Sequence, residues 1–228
     1  MDLFLNELTS QQIIFSIFLT AKVCFWAFLL HGFFGIFLAW YLSSEKAPFR
    51  NVIDVVISFP LVFPPIATGF LLLMVFGRFG LLGKYLQPLG VEIIFTQKAL
   101  VLAAFTAGLP LVVKPIQSAI ASSAKNLIEA SLTLGKSRLT TFIRVVVPNV
   151  RKSIFAGLAL GVGRSMGEVG ITLMIGGNII GKTNTLSLEV YNAVFDGNYL
   201  RAGVLCVILL GVSVILFSLL RRLETRSV

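Results

Sequence analysis

The chain has 228 residues, 57% of them hydrophobic and 13% charged, with a net charge of +9 and a mean hydropathy of +0.94. Soluble domains hold roughly 45 to 50% apolar residues, so this composition excludes a water-soluble globular protein and places the chain in the membrane-embedded class, as one domain over 1–228. A soluble chain this basic would point to nucleic acid, but in a membrane protein Lys and Arg report which loops face the cytoplasm.

The first twelve residues carry no Lys or Arg ahead of the first apolar run, which argues against a cleaved signal peptide, so that first helix is expected to be retained. Apolar stretches of spanning length fall at about 13–42, 52–76, 99–120, 153–175 and 202–220, predicting an all-α integral membrane fold of five transmembrane helices. The segments 43–51, 122–152 and 221–228 hold eleven Lys or Arg, against five on the opposite side. That bias puts 122–152 and the carboxyl terminus in the cytoplasm and the amino terminus outside. In helix one, Lys22 and His31 read as anchors or satisfied polar groups. Helix two carries Pro60, Pro64 and Pro65, which remove backbone donors and predict a kink or local unwinding. A pathway-facing helix and a structural kink both fit. The glycine-punctuated loop that follows, 77–98, reads as a short interfacial element. Lys114, near the cytoplasmic end of helix three, is expected to snorkel to the headgroups. Cys24 and Cys206 sit in apolar runs and behave as small hydrophobes, with no disulfide or metal spacing.

Three patterns suggest chemistry. Gly176, Gly181, Lys182 and Thr183 fit the GxxxxGK[ST] spacing of a phosphate-cradling loop. That loop joins a strand to a helix in a soluble sheet, whereas this one follows a membrane span on the expected outer side, where ATP is absent; a turn is the better reading. Gly163, Ser165 and Gly167 match the GxSxG nucleophile elbow. The match lies inside helix four, and His31 is the only histidine, so a membrane-embedded serine hydrolase requires His31 beside Ser165, with Glu168 as the carboxylate. Gly157, Gly161, Gly163 and Gly167 read instead as small residues that let helices pack closely in lipid. Arg164 and Glu168, four apart, share a helix face and can neutralise each other. An ionisable pair at this depth faces the bundle interior or a polar cavity. A structural pair and an arginine that meets an oxyanion by charge-assisted hydrogen bonds both stay open, the structural pair ahead.

The one polar stretch in the middle of the chain is 126–148. It reads Glu129-Ala130-Ser131, three residues, Gly135, nine residues, then Val145-Val146-Val147-Pro148. This spacing resembles the EAA signature of ABC transporter permeases, Glu-Ala-Ala, three residues, Gly, nine residues, Ile-x-Leu-Pro. The departures are Ser131 for Ala and Val for Ile and Leu, exchanges expected to leave the geometry intact. Beyond the loop, PLVFPPIATGFLLLMVFGRFGLLG, NTLSLEVYNAV and GRSMGEVGITLMIGGNIIGKTNTL resemble the molybdate permease subunits of type I importers over nearly the whole chain. In that family Glu is common where Lys182 stands, which puts the local docking surface for a binding protein in question.

The resemblance implies a homodimer of permeases with two cytoplasmic ATP-binding subunits and a periplasmic oxyanion-binding protein. It implies no catalytic residue, metal or cofactor in this chain, ATP and magnesium being held by the partner subunit. Glu129, Ala130, Ser131, Gly135 and Pro148 would form a coupling helix that docks on the ATPase. In that picture Gly135 interrupts a helix, Pro148 keeps it from running into the next span, and Glu129 faces the partner or caps a helix start. Thr68, Arg164, Glu168 and Asn178 are the candidate pathway residues. The implied cargo is molybdate, with tungstate or sulfate as alternatives.

Overall fold

A computed structural model describes residues 11–45 and 47–226; the amino terminus, whose outside placement is expected from charge, lies outside the described residues. Ten helices and one 3-10 turn, Gln87–Leu89, account for the ordered elements among the described residues, and no strand occurs among them. They are α1 (Gln11–Ser43), α2 (Arg50–Val62), α3 (Pro65–Phe76), α4 (Gly83–Leu86), α5 (Gln97–Thr133), α6 (Arg138–Asn149), α7 (Arg151–Met166), α8 (Gly170–Gly176), α9 (Leu186–Phe195) and α10 (Tyr199–Arg226).

All five apolar stretches are helical, but among the described residues only α1 and α5 are long and apolar enough to cross a membrane unbroken; α6 and α7 taken together make a third span, bent by 76°. The second and fourth expected spans are each cut in two. Between α2 and α3 the chain is extended at Phe63 and Pro64, with Pro65 opening α3. The prolines explain this break, since Pro64 and Pro65 offer no backbone donors to continue the ladder. Between α7 and α8 the chain leaves the helix at Gly167, Glu168 and Val169.

The long helix α5 is the axis of the bundle. At 37 residues it measures about 55 Å at 1.5 Å per residue, well beyond a hydrocarbon core of about 30 Å. Its far end, 121–133, therefore projects from the bilayer. The expected boundary of a third helix ending near residue 120 is corrected here: a π-helical turn at Ile120–Ala124 carries the helix on without a break. Leading into that end, Val112, Val113, Ile116, Ile120 and Ala124 of α5 pack with Ala39 and Leu42 of α1, Ile57 of α2, Val146 of α6, and Ile154 and Leu158 of α7.

Helices α5 and α7 approach most closely where glycines face each other. A Cβ on Gly108 would lie 2.6 Å from the Gly161 carbonyl oxygen and 2.5 Å from Cε1 of His31. One on Gly161 would lie 2.5 Å from Cγ2 of Val112, and one on Gly157 3.1 Å from the Val112 carbonyl. In lipid, where apolar burial drives little association, such backbone proximity supplies the packing energy. The slot it leaves holds the His31 ring, fully buried, hydrogen-bonded through Nε2 to the Phe105 carbonyl at 3.0 Å and stacked on Phe105. Gly157 and Gly161 thus pack as expected, whereas Gly163 has nothing within 4 Å of an added Cβ and Gly167 only its own helix at 3.9 Å.

Candidate functional site

Two regions concentrate the polar chemistry. The first is the projecting hairpin formed by the end of α5, the Gly135 turn and α6. Helix α5 stops at Gly135 because φ there is +75°, a left-handed conformation that costs a side-chain-bearing residue about 1 to 2 kcal/mol. Gly135 N–H donates to the Leu132 carbonyl at 3.0 Å and Lys136 N–H to the Ser131 carbonyl at 3.1 Å, the paired bonds of a Schellman cap. Ser137 then caps α6, its Oγ accepting from Thr140 N–H at 3.2 Å. Ser131 Oγ and Thr141 Oγ1 lie 2.9 Å apart in the buried angle between the arms. Ser131 in place of Ala is therefore more than a neutral exchange, because its hydroxyl ties α5 to α6.

Glu129 and Ala130 are exposed on the outer side of this hairpin. Glu129 lies within the helical segment Lys125–Thr133 rather than at a helix start, so the capping role is corrected; it faces outward. Leu127, Leu132, Leu134, Leu139 and Ile143 are exposed beside it, Leu134 at 78%, with Lys125, Lys136, Arg138 and Arg144 among them. Exposed apolar clusters rimmed by charge are the surfaces that proteins use for contacts with partners or membranes. Pro148 sits in the last turn of α6, two residues before Val150 leaves helical geometry and the chain bends into α7.

The second region is the break between α7 and α8. Glu168, 3% exposed, accepts Ile171 N–H at 2.7 Å and pairs with Arg164 at 2.5 Å. One carboxylate thus caps the restarted helix α8 and neutralises the arginine one turn back. Ser187 Oγ donates to the Met166 carbonyl at 2.7 Å, filling another position that the break leaves open. Lipid tolerates a broken helix only when its freed backbone groups are bonded in this way. Helix α8 packs on α3, the other half-helix: a Cβ on Gly170 would meet Pro65 Cβ at 2.7 Å, and one on Gly69 would meet Met174 Cβ at 2.7 Å. Two interrupted spans therefore lie against each other at their breaks, an arrangement that points to a translocation site.

The sequence-predicted pathway residues do not all meet there. Arg164 and Glu168 sit together at the break, with Arg164 one-third exposed. Thr68 is buried one turn along α3, its hydroxyl donating to the Pro64 carbonyl at 3.2 Å. Asn178 lies beyond the opposite end of α8, where its side-chain amide pairs with Asn192 at 2.6 Å and 3.3 Å. Sequence reasoning missed Asn192, and also two ion pairs. Lys114 Nζ donates to both Asp54 carboxylate oxygens at 2.8 Å, across α5 and α2, which replaces the expected snorkelling to headgroups. Buried Glu189 meets Arg201 at 3.4 Å and Ser16 Oγ at 3.4 Å. Asp54 and Lys114 lie 60 positions apart in sequence, and no spacing rule couples them. Lys22 bonds Gln97 Oε1 at 2.9 Å.

The two enzyme-like motifs resolve into structure. Ser165 Oγ lies 2.8 Å from the carbonyls of Ala104 and Gly161, inside the α5–α7 contact, while His31 is turned to Phe105. Thr183, fully buried, donates to the Gly176 carbonyl at 2.7 Å and accepts Ile179 N–H at 2.9 Å. Its hydroxyl closes a turn, as the phosphate-loop match lacks a preceding strand.

The chain thus joins two abutting broken spans to an exposed hairpin at the end of a long helix. The chain belongs to the family of binding-protein-dependent transport system inner membrane components, which matches residues 32–227. It is 34% identical over 202 residues to the molybdenum transport system permease protein ModB of Escherichia coli (strain K12), covering 88% of each chain. It is 29% identical over 221 residues to the sulfate transport system permease protein CysT of Salmonella typhimurium, 97% of this chain and 80% of that protein. A 38% match over 146 residues to the probable transport system permease protein NifC of Clostridium pasteurianum spans about half, 51%, of that protein's length. The fold is similar to a chain of a bacterial ABC transporter involved in the import of the acidic polysaccharide alginate, with TM-score 0.77 and 17% identity, over 99% of this chain and 83% of that one. The chain is thus a permease component of a binding-protein-dependent transport system rather than an enzyme.

Proposed function

We propose that this permease moves molybdate inward across the membrane, driven by ATP hydrolysed on separate subunits docked at the Gly135 hairpin. The observation that carries the molybdate reading is the 34% identity to ModB over 88% of both chains. A sulfate cargo is the second reading, favoured by the longer match to CysT, over 97% of this chain; tungstate shares the tetrahedral dianion chemistry.

In this account Glu129, Ala130, Ser131, Gly135 and Pro148 form and hold the coupling hairpin, with the exposed leucines seated in the ATPase. The basic content of 122–152 supports a cytoplasmic position for it, with the amino terminus outside and the carboxyl terminus inside. The whole of 1–228 acts as one domain. Motion of the hairpin passes directly into α5, of which it is the end, and through the glycine contacts into α7. Helix α7 ends at the Arg164–Glu168 break. Arg164, the one-third exposed cation, meets the anion by charge-assisted hydrogen bonds, while Glu168 positions it. Thr68 and Asn178 line the same route at other depths. A second copy of the chain packs over the open face of α7: Gly163 there has room for a side chain, and a groove of about 310 Å³ runs between Ala159, Gly163, Ser213 and Phe217. A binding protein delivers the anion on the outer side; a neighbour of known structure is an alginate ABC transporter in complex with its periplasmic protein.

The test is uptake of labelled molybdate, tungstate and sulfate by vesicles holding the full complex. Molybdate accumulation that needs ATP supports the proposal, and sulfate accumulation without molybdate overturns the cargo while leaving the permease assignment in place.

A further inference from the structure

The end of the bundle opposite the hairpin carries a folded-back segment that belongs to neither of the two polar regions described above. After α3 the chain does not leave into water. It turns back on the helix it has just left, with Leu81 N–H donating to the Met74 carbonyl at 3.2 Å and Leu82 N–H to the Val75 carbonyl at 2.8 Å. These bonds satisfy carbonyls that the end of α3 would otherwise leave open. The fold-back is possible because Gly80 and Gly83 lie against backbone: a Cβ on Gly83 would overlap the Gly77 carbonyl, and one on Gly80 the Met74 carbonyl. Helix α4 and the single 3-10 turn Gln87–Leu89 are thereby pinned at the level of the last turn of α3.

What this pinned segment presents is apolar and basic. Phe79 is 92% exposed, Leu81 69%, Tyr85 65% and Leu89 74%. The two charges between residues 77 and 91 are Arg78 and Lys84, and no acid lies in that range. Both cations sit against neighbouring rings, Arg78 5.8 Å from the Phe79 centroid and Lys84 4.9 Å from that of Tyr85. The surface continues the exposed face of α3, where Ile66, Phe70 and Met74 are uncovered.

We propose that residues 78–89 form an interfacial foot that rests on the phospholipid surface, its apolar side chains about 5 to 10 Å into the boundary between headgroups and acyl chains, with Arg78 and Lys84 on lipid phosphates. Three observations select lipid as the occupant. The backbone bonds hold the segment at the depth where α3 ends, the exposed face runs on from a membrane-embedded helix, and aromatic rings beside cations are the side chains that membrane interfaces favour. The foot anchors α3, and through the Gly69 contact also α8, so the broken spans move against a fixed support. This inference stands on the fold and is independent of the anion carried.

The experiment uses the full chain reconstituted in vesicles of phosphatidylcholine and phosphatidylglycerol, with Trp26 and Trp40 replaced by Phe and one tryptophan placed by Phe79→Trp or Tyr85→Trp. Phospholipid brominated near the headgroup end of its acyl chains should remove most of the emission at both positions. Aqueous iodide should quench little. Arg78→Gln with Lys84→Gln should weaken the bromolipid quenching most in vesicles rich in phosphatidylglycerol. Free quenching by iodide with none by bromolipid overturns the proposal. So does protection from iodide that appears only when a purified binding protein is added, which would make the foot a protein-docking surface.

Discussion

The α5–α7 contact and the Gly135 hairpin both depend on glycine, for opposite reasons. At Gly108 and Gly161 the backbone is ordinary helix and the space is missing, since an added Cβ would strike the other helix or His31. At Gly135 the space is open, with nothing within 4 Å of a Cβ, and the conformation is what a side chain resists. The first region is closed, with the Ser165 hydroxyl bonded to the carbonyls of Ala104 and Gly161. The second satisfies its backbone and leaves its leucines uncovered. In the proposed function the first region transmits motion and the second is the surface that a partner completes.

Substitutions separate the two roles. Glu168→Ala removes both the cap on α8 and the partner of Arg164, and should cost about 3 kcal/mol, toward the low end for breaking a buried pair; Arg164 keeps some solvent access. Thermal unfolding in detergent measures it, and Glu168→Gln should recover part of the loss through the retained Ile171 bond. Gly161→Leu overfills the α5–α7 slot and should cost about 1 to 3 kcal/mol, with the hairpin still able to bind a partner. Gly135→Ala should cost about 1 to 2 kcal/mol from the left-handed φ, yet its main effect should be on coupling, read as ATP hydrolysis that no longer responds to the binding protein. Ser131→Ala loses one buried hydrogen bond and should cost about 1 kcal/mol. Leu134→Ala should move stability by less than about 0.5 kcal/mol, as for other surface changes, while weakening association with the ATPase. If Leu134→Ala unfolded the chain and Gly161→Leu did not, the contrast between the two regions would be reversed.

The sequence was most informative where one local rule decides the structure. Hydropathy placed all five helical stretches, Pro64 and Pro65 marked the break before α3 while Pro60 is carried inside α2, and the resemblance at Glu129, Gly135 and Pro148 singled out the segment that folds as a hairpin where a single short helix was expected. The break after α7 was harder to see, because nothing in GRSMGEVG announces that Glu168 will turn back to cap Ile171. The continuity of α5 through the turn at Ile120–Ala124 was also hidden, since the loss of hydropathy there reads as the end of a span whether or not the helix goes on. Pairs such as Asp54 with Lys114 and Asn178 with Asn192 depend on which elements meet in the fold, and periodicity within one helix does not show that. The motif matches at Ser165 and Thr183 failed for a related reason: spacing is local, and each hydroxyl is consumed by a carbonyl that only the folded chain brings near.

The central claim is that the Gly135 hairpin is where an ATP-hydrolysing partner moves this permease. The direct measurement compares wild type with Gly135→Pro in vesicles containing the ATPase and binding protein, following labelled molybdate uptake and confirming that both chains insert equally. The account predicts ATP-dependent uptake by the wild type and its loss in the variant, together with failure of the variant to retain the ATPase on purification. Equal uptake by the two inserted chains would contradict it.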